Sequence, residues 1–548
     1  MSSVSMFLRR AAAAALFLFC LVADAREALT AQRFMVAAAH PLAAEAGYAV
    51  LQLGGSALDA AVAVQMVLGL VEPESSGIGG GAFLLHWSEK ERKLRAYDGR
   101  ETAPAAARPD RFLNSEKKPL PFLEAVVGGR SVGVPGVLRL LELAHRQHGR
   151  LPWSELLQYA IFAAEEGFIM SPRLHAVLER ERFLQQDAFA RKLYYGADGR
   201  AKPAGTRLVN RAYGATLRTL ALEGVGAFYR GPIAADIVRA VRSHPKPGDL
   251  SEEDLAGYRA LEREPVCGPY RQWRLCSMGP PSAGGVAVLQ ILGLLERAGF
   301  ERAAPDSAAA VHLFAEAGRL AYADRARYLG DPDFVPVPVR KLLAGKYLDR
   351  RARLIGERAM REAAPGDTEA NGTSHFSIAD AQGNVVAMSS TIESPFGSRI
   401  MVRGFLLNNQ LTDFDFIPGS VNEVRPRKRP RSSMAPAMVF ERGGRLRMAL
   451  GSPGGPWIIN YVAKTLVAAL DWGRDIQAAI EVPNFGSRNG PALLEQGSSY
   501  ESLAGPLRRR GHEVETAPLV SGLHGIERVP GGWRGGADPR REGTVLGR

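Results

Sequence analysis

The residue pattern points to a mixed α/β or α+β core, and three observations carry that reading. Apolar residues recur at helical spacing through much of the first half of the chain. From about residue 375 the period falls to two, as in half-buried strands, and helical sequence then returns to close a sheet. The composition, 46% hydrophobic and 23% charged over 548 residues with 59 Gly and 35 Pro, fits a large folded protein. It excludes a disordered chain, a collagen-like repeat and a small disulfide scaffold. At this length the default is two or three folding units or one large layered core.

The elements follow in order. Residues 39–73 read as two Ala-rich helices separated by Gly54-Gly55, the second apolar on every face and therefore buried. A glycine-rich stretch, Gly77 to Gly81, leads into the strand-like Ala82-Phe83-Leu84-Leu85. Helical patterns return at 134–148, 153–166, 285–298 and 307–328, with Gly149 and Gly299 where helix ends are expected. His375 to Ala379 and Val385 to Ile392 alternate around Asp380-Ala381-Gln382-Gly383-Asn384, a turn of hairpin composition. A second hairpin is expected from Ala437 to Phe440 and Leu446 to Leu450 around Arg442-Gly443-Gly444.

Residues 1–25 have the layout of a secretory signal peptide: Arg9-Arg10, an uncharged apolar run from Ala11 to Val22, then Ala23-Asp24-Ala25. The run is too short to span a bilayer comfortably, and Phe19 before Cys20 argues against a lipoprotein anchor. The expectation is an exported protein, periplasmic or secreted, with no stable membrane anchor. The balance of 69 Lys+Arg over 57 Asp+Glu gives +12. With no basic tail, that excess reads as a diffuse surface property rather than a nucleic-acid interface. One local use is expected, in which Arg425, Arg427, Lys428, Arg429 and Arg431 attract an anionic substrate.

In an oxidising compartment Cys267 and Cys276 become a disulfide candidate. A hairpin centred between Arg271 and Gln272 sets them opposite each other, with two buried thiols as the alternative. Neither CxxC nor HExxH occurs, so no metal site is expected, and His145 and His148 read as solvated helix residues. No organic cofactor is implied. The glycines at 77–81 lack both the Lys-Ser/Thr ending of a phosphate loop and GxGxxG spacing, and no GxSxG elbow is present.

The informative segment is Asn371-Gly372-Thr373-Ser374-His375-Phe376-Ser377, where helical sequence gives way to strands. A Thr hydroxyl is a poor nucleophile without an adjacent base. Cleavage before Thr373 would free an α-amino group, whose reference pKa of roughly 7.7–8.0 suits that role. Gly372, without a Cβ, leaves its carbonyl open to attack. By itself the pattern is equally that of a Gly-Thr loop running into a strand.

Several ordered blocks resolve the ambiguity by resemblance. Thr373 to Ser377, Leu406-Leu407-Asn408-Asn409-Gln410 with Asp413-Phe414, Arg429-Pro430-Arg431-Ser432-Ser433-Met434 and Gly451-Ser452-Pro453-Gly454-Gly455 resemble the γ-glutamyltranspeptidase family. So do Ser76 to Gly81, Asp98-Gly99-Arg100-Glu101, Pro280-Pro281-Ser282-Ala283-Gly284-Gly285 and Tyr328-Leu329-Gly330-Asp331-Pro332. The resemblance runs from about residue 33 to Gly543. It implies an N-terminal-nucleophile hydrolase, a four-layer αββα sandwich. It also implies a proenzyme cut at Gly372-Thr373 into a large subunit, 26–372, and a small one, 373–548, interwoven in one core.

The roles it implies are specific. Thr373 is the nucleophile and Thr391 orients it. Gly454 and Gly455 supply the oxyanion hole. Arg100, Ser432 and Ser433 bind the α-carboxylate of a γ-glutamyl group, and Gln410 and Asp413 its ammonium. Glu393 stands where many members have Asn, and can still accept from the ammonium. The short stretch between Asp413 and Lys428 lacks the segment that lids the pocket in many members, so bulkier donors should fit. The activity implied is transfer of the γ-glutamyl group of glutathione and related compounds to water, amino acids or peptides. A glutaryl-type cephalosporin acylase of the same superfamily is the nearest alternative, and a non-catalytic binding module on the same scaffold is a remote one.

Overall fold

The computed structural model describes residues 27–360 and 372–548. The proposed signal peptide, Cys20 and Asn371 lie outside the described residues. Two antiparallel seven-stranded sheets form the centre. In the first, the order is Thr544–Gly547, Met35–Ala38, Gly372–Ala379, Val385–Glu393, Gly81–Ser88, Lys93–Gly99 and Leu261–Arg263. In the second it is Leu29–Ala31, Gly532–Ala537, His524–Val529, Leu446–Gly451, Ala437–Phe440, Trp273–Ser277 and Val266–Tyr270. Each sheet therefore mixes strands from both sides of the Gly372-Thr373 bond, so neither half of the chain holds a sheet of its own.

Side-chain alternation builds the layers. Val36, Ala38, Leu84, Phe376, Ile378, Val386 and Met388 turn to one face and pack under the helices Pro41–Gln52, Ala57–Val71 and Val137–His148. Their strand neighbours Met35, Ala37, Phe83, Leu85, Val385 and Ala387 turn the other way, into a core shared with Leu275, Met438, Val439 and Ala449 of the second sheet. That core continues to the helices Gly284–Arg297, Ala308–Tyr328 and Ile458–Leu470. The result is helices, sheet, sheet, helices. Period-two sequence with both faces apolar requires such cover on both sides of a sheet.

The helices and hairpins anticipated from periodicity are present, with ends moved by a few residues. The helix Ala57–Val71 is buried on every side and opens on a capping box between Ser56 and Asp59. Four further helices, Pro172–Arg180, Ala188–Tyr194, Arg211–Glu223 and Pro232–Ser243, are not among the anticipated elements, although Ile233, Ile237 and Val241 of the last recur at helical spacing. His148 is not a solvated residue: its ring stacks on buried His86 with centroids 3.9 Å apart, and its Nε2 lies 2.7 Å from the Tyr97 hydroxyl. The Val266–Tyr270 and Trp273–Ser277 strands pair Cys267 with Cys276, joined as a disulfide with an S–S distance of 2.10 Å. Among the described residues no helix is long and apolar enough to cross a membrane.

Between the sheets the His375 ring lies against Gly451, where a Cβ would come within 2.3 Å of the ring. Burial holds this imidazole well below its usual pKa, and so neutral, with Nδ1 2.8 Å from the Ser389 hydroxyl. Overpacking of this kind costs about 1–3 kcal/mol. Gly451→Ala is therefore expected to lower the melting temperature by about 1–3 °C, and His375→Ala in the same chain to recover part of the loss. An unchanged melting temperature for Gly451→Ala would contradict this packing.

Candidate active site

The strands Gly372–Ala379 and Val385–Glu393 are neighbours, pairing Gly372 with Glu393 and Ser374 with Ser390. One residue, Thr373, thus faces two, Thr391 and Ile392, which is a β-bulge. The bulge brings three oxygens together at the end of the sandwich. The Thr373 hydroxyl lies 2.7 Å from the Gly372 carbonyl oxygen, and the Thr391 hydroxyl donates to the same oxygen at 2.6 Å. The two hydroxyls are 3.4 Å apart, and the Glu393 amide donates to the Thr391 oxygen at 2.8 Å. All of this is buried. No Cβ fits at Gly372, since it would stand 2.6 Å from the Glu74 carbonyl oxygen.

A narrow cleft opens from Thr373, lined among others by Thr391, Glu393, Arg100, Asp413, Ser432, Ser433 and Gly455. Gly454 and Gly455 both have positive φ, 129° and 54°, and lead through a short turn into the helix Ile458–Leu470. Neither amide N–H donates to an acceptor among the described residues; Gly455 lines the cleft with Thr373, and Gly454 stands just outside that lining. Ser432 and Ser433 sit against the Pro280 to Gly285 block: Ala283 donates to the Ser432 carbonyl at 2.9 Å, and a Cβ at Gly284 would meet the Ser433 carbonyl at 2.5 Å. That packing gives the block's glycine a physical reason.

Arg100 follows the Lys93–Gly99 strand, its carbonyl held by the Tyr258 hydroxyl at 2.7 Å. Its guanidinium donates through Nε to the Pro430 carbonyl at 3.1 Å, and through Nη2 to the Arg431 carbonyl at 3.0 Å and to Asp413 at 2.5 Å. A fixed cation and anion thus lie side by side. That arrangement complements a group carrying ammonium and carboxylate on one carbon.

Comparison with known proteins gives the family. The family model for γ-glutamyltranspeptidase matches residues 43–548. A glutathione hydrolase proenzyme of Bacillus subtilis (strain 168) is 36% identical, over 94% of this chain and 91% of that one. The chain belongs to the γ-glutamyltranspeptidase family. An Acylase ACY 1 proenzyme of Pseudomonas sp. (strain V22) is also 36% identical, covering 94% of each chain. Among solved structures, a cephalosporin acylase from Bacillus halodurans superposes with a TM-score of 0.87 at 29% identity, covering 96% of this chain and 98% of that one. The fold is accordingly the N-terminal-nucleophile hydrolase sandwich of this family.

Within that family frame some expected residues sit differently from their expected roles. Gln410 does not line the cleft; its Nε2 donates to Asp413 at 2.7 Å, so it holds the carboxylate rather than facing a ligand. Arg100 has Nε and Nη2 occupied by protein acceptors, which leaves only Nη1 to meet a carboxylate. The basic run is mostly consumed inside the protein. Lys428 donates to the Val421 and Glu423 carbonyls, Arg429 pairs with Asp98, and Arg431 pairs with Asp415, leaving Arg425 and Arg427 exposed.

Other contributors were given no role from sequence, although Asn409 lies in the Leu406 to Gln410 block. Asn409 and Ser394 both donate to the Glu393 carboxylate. Arg325 reaches the cleft from the last turn of the Ala308–Tyr328 helix, where a cation reads simply as complementing the helix dipole. His312, Glu316 and His512 gather away from the cleft; His312 Nδ1 is 2.7 Å from His512 Nε2, and Arg319 lies 3.1 Å from Glu316. The rings are bonded to each other and the carboxylate faces a guanidinium, while Glu316 Oε1 and His512 Nδ1 are buried without a hydrogen bond among the described residues.

Glu101, beside Arg100, has both carboxylate oxygens buried without a hydrogen bond. Burial pushes its carboxyl up to about 8, against the pull of Arg100 3.7 Å away. The folded state therefore keeps a proton that the unfolded chain releases near its ordinary value. This contribution to stability is full at low pH, falls as pH rises through that window and levels off above about 8. Glu101→Gln should remove the slope, so its melting temperature should gain on the wild type between about pH 5 and 8. A difference constant across that range would contradict the assignment.

Proposed function

We propose that this chain is an exported, self-cleaving γ-glutamyl hydrolase and transpeptidase, with Thr373 serving first in its own maturation and then in turnover. The observation that carries the reading is the shared carbonyl: the hydroxyls of Thr373 and Thr391 both meet the Gly372 oxygen. In the first step the Thr373 oxygen adds to the Gly372 carbonyl carbon, and Thr391, polarised by the Glu393 amide, stabilises the oxyanion. The C–N bond breaks, nitrogen takes the proton from the hydroxyl, and water hydrolyses the resulting ester. Residues 26–372 and 373–548 become two chains of one core. Removal of Gly372 leaves Thr391 free to bond the Thr373 oxygen directly.

In turnover the new α-amine of Thr373 takes the hydroxyl proton as oxygen attacks the γ-carbonyl. The Gly454 and Gly455 amides receive the oxyanion. The leaving amine departs with the proton, and the γ-glutamyl ester passes to water or to the amine of an amino acid or peptide. Glutathione is the donor class proposed, in keeping with the relatives named glutathione hydrolase proenzymes. Arg100, Ser432 and Ser433 are placed to meet the α-carboxylate, Asp413 and Glu393 the ammonium. A glutaryl group has no ammonium and would forgo the contacts that Asp413 and Glu393 can offer one, so it gains less from this cleft. That disfavours the acylase reading.

Two outcomes are expected. Purified wild-type protein should run as two bands under denaturing conditions and Thr373→Ala as one; a persistent full-length wild-type band would contradict self-cleavage. Asp413→Asn should lower kcat/KM for a γ-glutamyl anilide by about 30-fold to 1,000-fold, the range for losing a buried charged hydrogen bond. Its effect on the glutaryl analogue should be far smaller. Wild-type turnover of the glutaryl anilide equal to or better than that of the γ-glutamyl anilide would overturn the preference.

A further inference from the structure

Arg325 lies outside every motif discussed above, yet it lines the same cleft as Thr373 and Asp413. Its Nη2 donates to the Ser433 hydroxyl oxygen at 2.8 Å. A serine hydroxyl has one proton to give and two lone pairs to receive. With Arg325 donating to the oxygen, the Ser433 proton cannot be spent on Arg325 and must find an acceptor elsewhere. Ser432 is held in the same way, its oxygen accepting from the Met434 amide at 3.1 Å. Two hydroxyl protons are thereby directed by donors behind them, and a carboxylate is the acceptor that takes both.

Charge supports the same assignment. Without Arg325 the cleft lining carries one cation, Arg100, against the carboxylates of Asp413 and Glu393. An incoming α-carboxylate would meet net negative charge. With Arg325 two guanidiniums balance two carboxylates, the environment suited to a zwitterionic amino-acid head group. Its charge is secure at neutral pH even though burial, with Arg431 nearby, draws its pKa down to about 10. The Nε of Arg325 is buried with no hydrogen bond among the described residues.

We propose that Arg325 is a positioning residue that sets selectivity for the α-carboxylate, by fixing the Ser433 hydroxyl as a donor and by neutralising the cleft. This rests on the γ-glutamyl reading of the site. The test compares wild type with Arg325→Met, Arg325→Lys and Ser433→Ala. It measures kcat and KM for a γ-glutamyl anilide and competitive inhibition by glutamate, glutarate and 4-aminobutyrate. Glutarate keeps the carboxylate in question without the ammonium; 4-aminobutyrate keeps the ammonium without that carboxylate.

Arg325→Met should raise KM and the inhibition constants of glutamate and glutarate at least about 10-fold, the effect of losing one charge-assisted hydrogen bond. It should leave kcat within about three-fold and 4-aminobutyrate unchanged. Arg325→Lys should restore part of the loss, and the Met and Ala changes combined should cost less than the product of their separate effects. Equal losses for all three inhibitors, a fall confined to kcat, or full additivity with Ser433→Ala would overturn the proposal. If Met at 325 prevents maturation, Arg325→Lys with Ser433→Ala carries the same comparison. Absence of wild-type γ-glutamyl turnover would instead overturn the parent reading, whatever the variants do.

Discussion

The bulge opposite Thr373 is the constraint on which the rest of the site depends. Regular pairing would set the side chains along the Gly372–Ala379 and Val385–Glu393 strands in simple alternation. Setting Thr391 and Ile392 against the single Thr373 re-aims the Thr391 hydroxyl at the Gly372 carbonyl, 2.6 Å away. It also lets the Glu393 amide donate back to Thr391. Such an arrangement survives only where the surroundings over-determine it. Here the hairpin is sandwiched between Met35–Ala38 and Gly81–Ser88, with helices on one face and a second sheet on the other.

Around that fixed point the protein places charges in pairs. Arg100 with Asp413, Arg325 with Ser433, and Glu393 with Asn409 and Ser394 each satisfy a polar group that would be costly to bury alone. The second ring follows the same rule. Lys428, Arg429 and Arg431 come from a basic run, yet Lys428 is spent on the Val421 and Glu423 carbonyls of its own segment, while Arg429 and Arg431 tie the Ser432-Ser433 segment to Asp98 and the Leu329 carbonyl. A basic run in a sequence is therefore no measure of surface charge when the fold buries it.

Strand and helix periods were legible because both sheets are covered on both faces, which forces long apolar stretches with clear spacing. The central hairpin and the Ala57–Val71 helix were readable on those grounds alone, and the Cys267-Cys276 pairing from the turn between them together with the expected export. The short helices Pro172–Arg180 and Ala188–Tyr194 were not, because each buries only two or three residues, whereas the spacing of Ile233, Ile237 and Val241 in Pro232–Ser243 was there to be read. The cleft splits in a similar way. Thr373, Arg100 and the glycine pair stand in distinctive local sequence, whereas Arg325 becomes visible only when the fold brings distant segments together. Gln410 stood in the right motif but one step removed, behind Asp413 rather than facing the cleft.

The central claim is that one oxygen, the Thr373 hydroxyl, both cuts the chain and carries the acyl group. Intact-mass measurement of the small chain, quenched in acid after brief mixing with a γ-glutamyl donor, tests it most directly. The account predicts a chain beginning at Thr373 that gains the mass of one γ-glutamyl group, with fragmentation placing the added mass on that first residue. A small chain with a different first residue, or an increment placed on any other side chain, would contradict it.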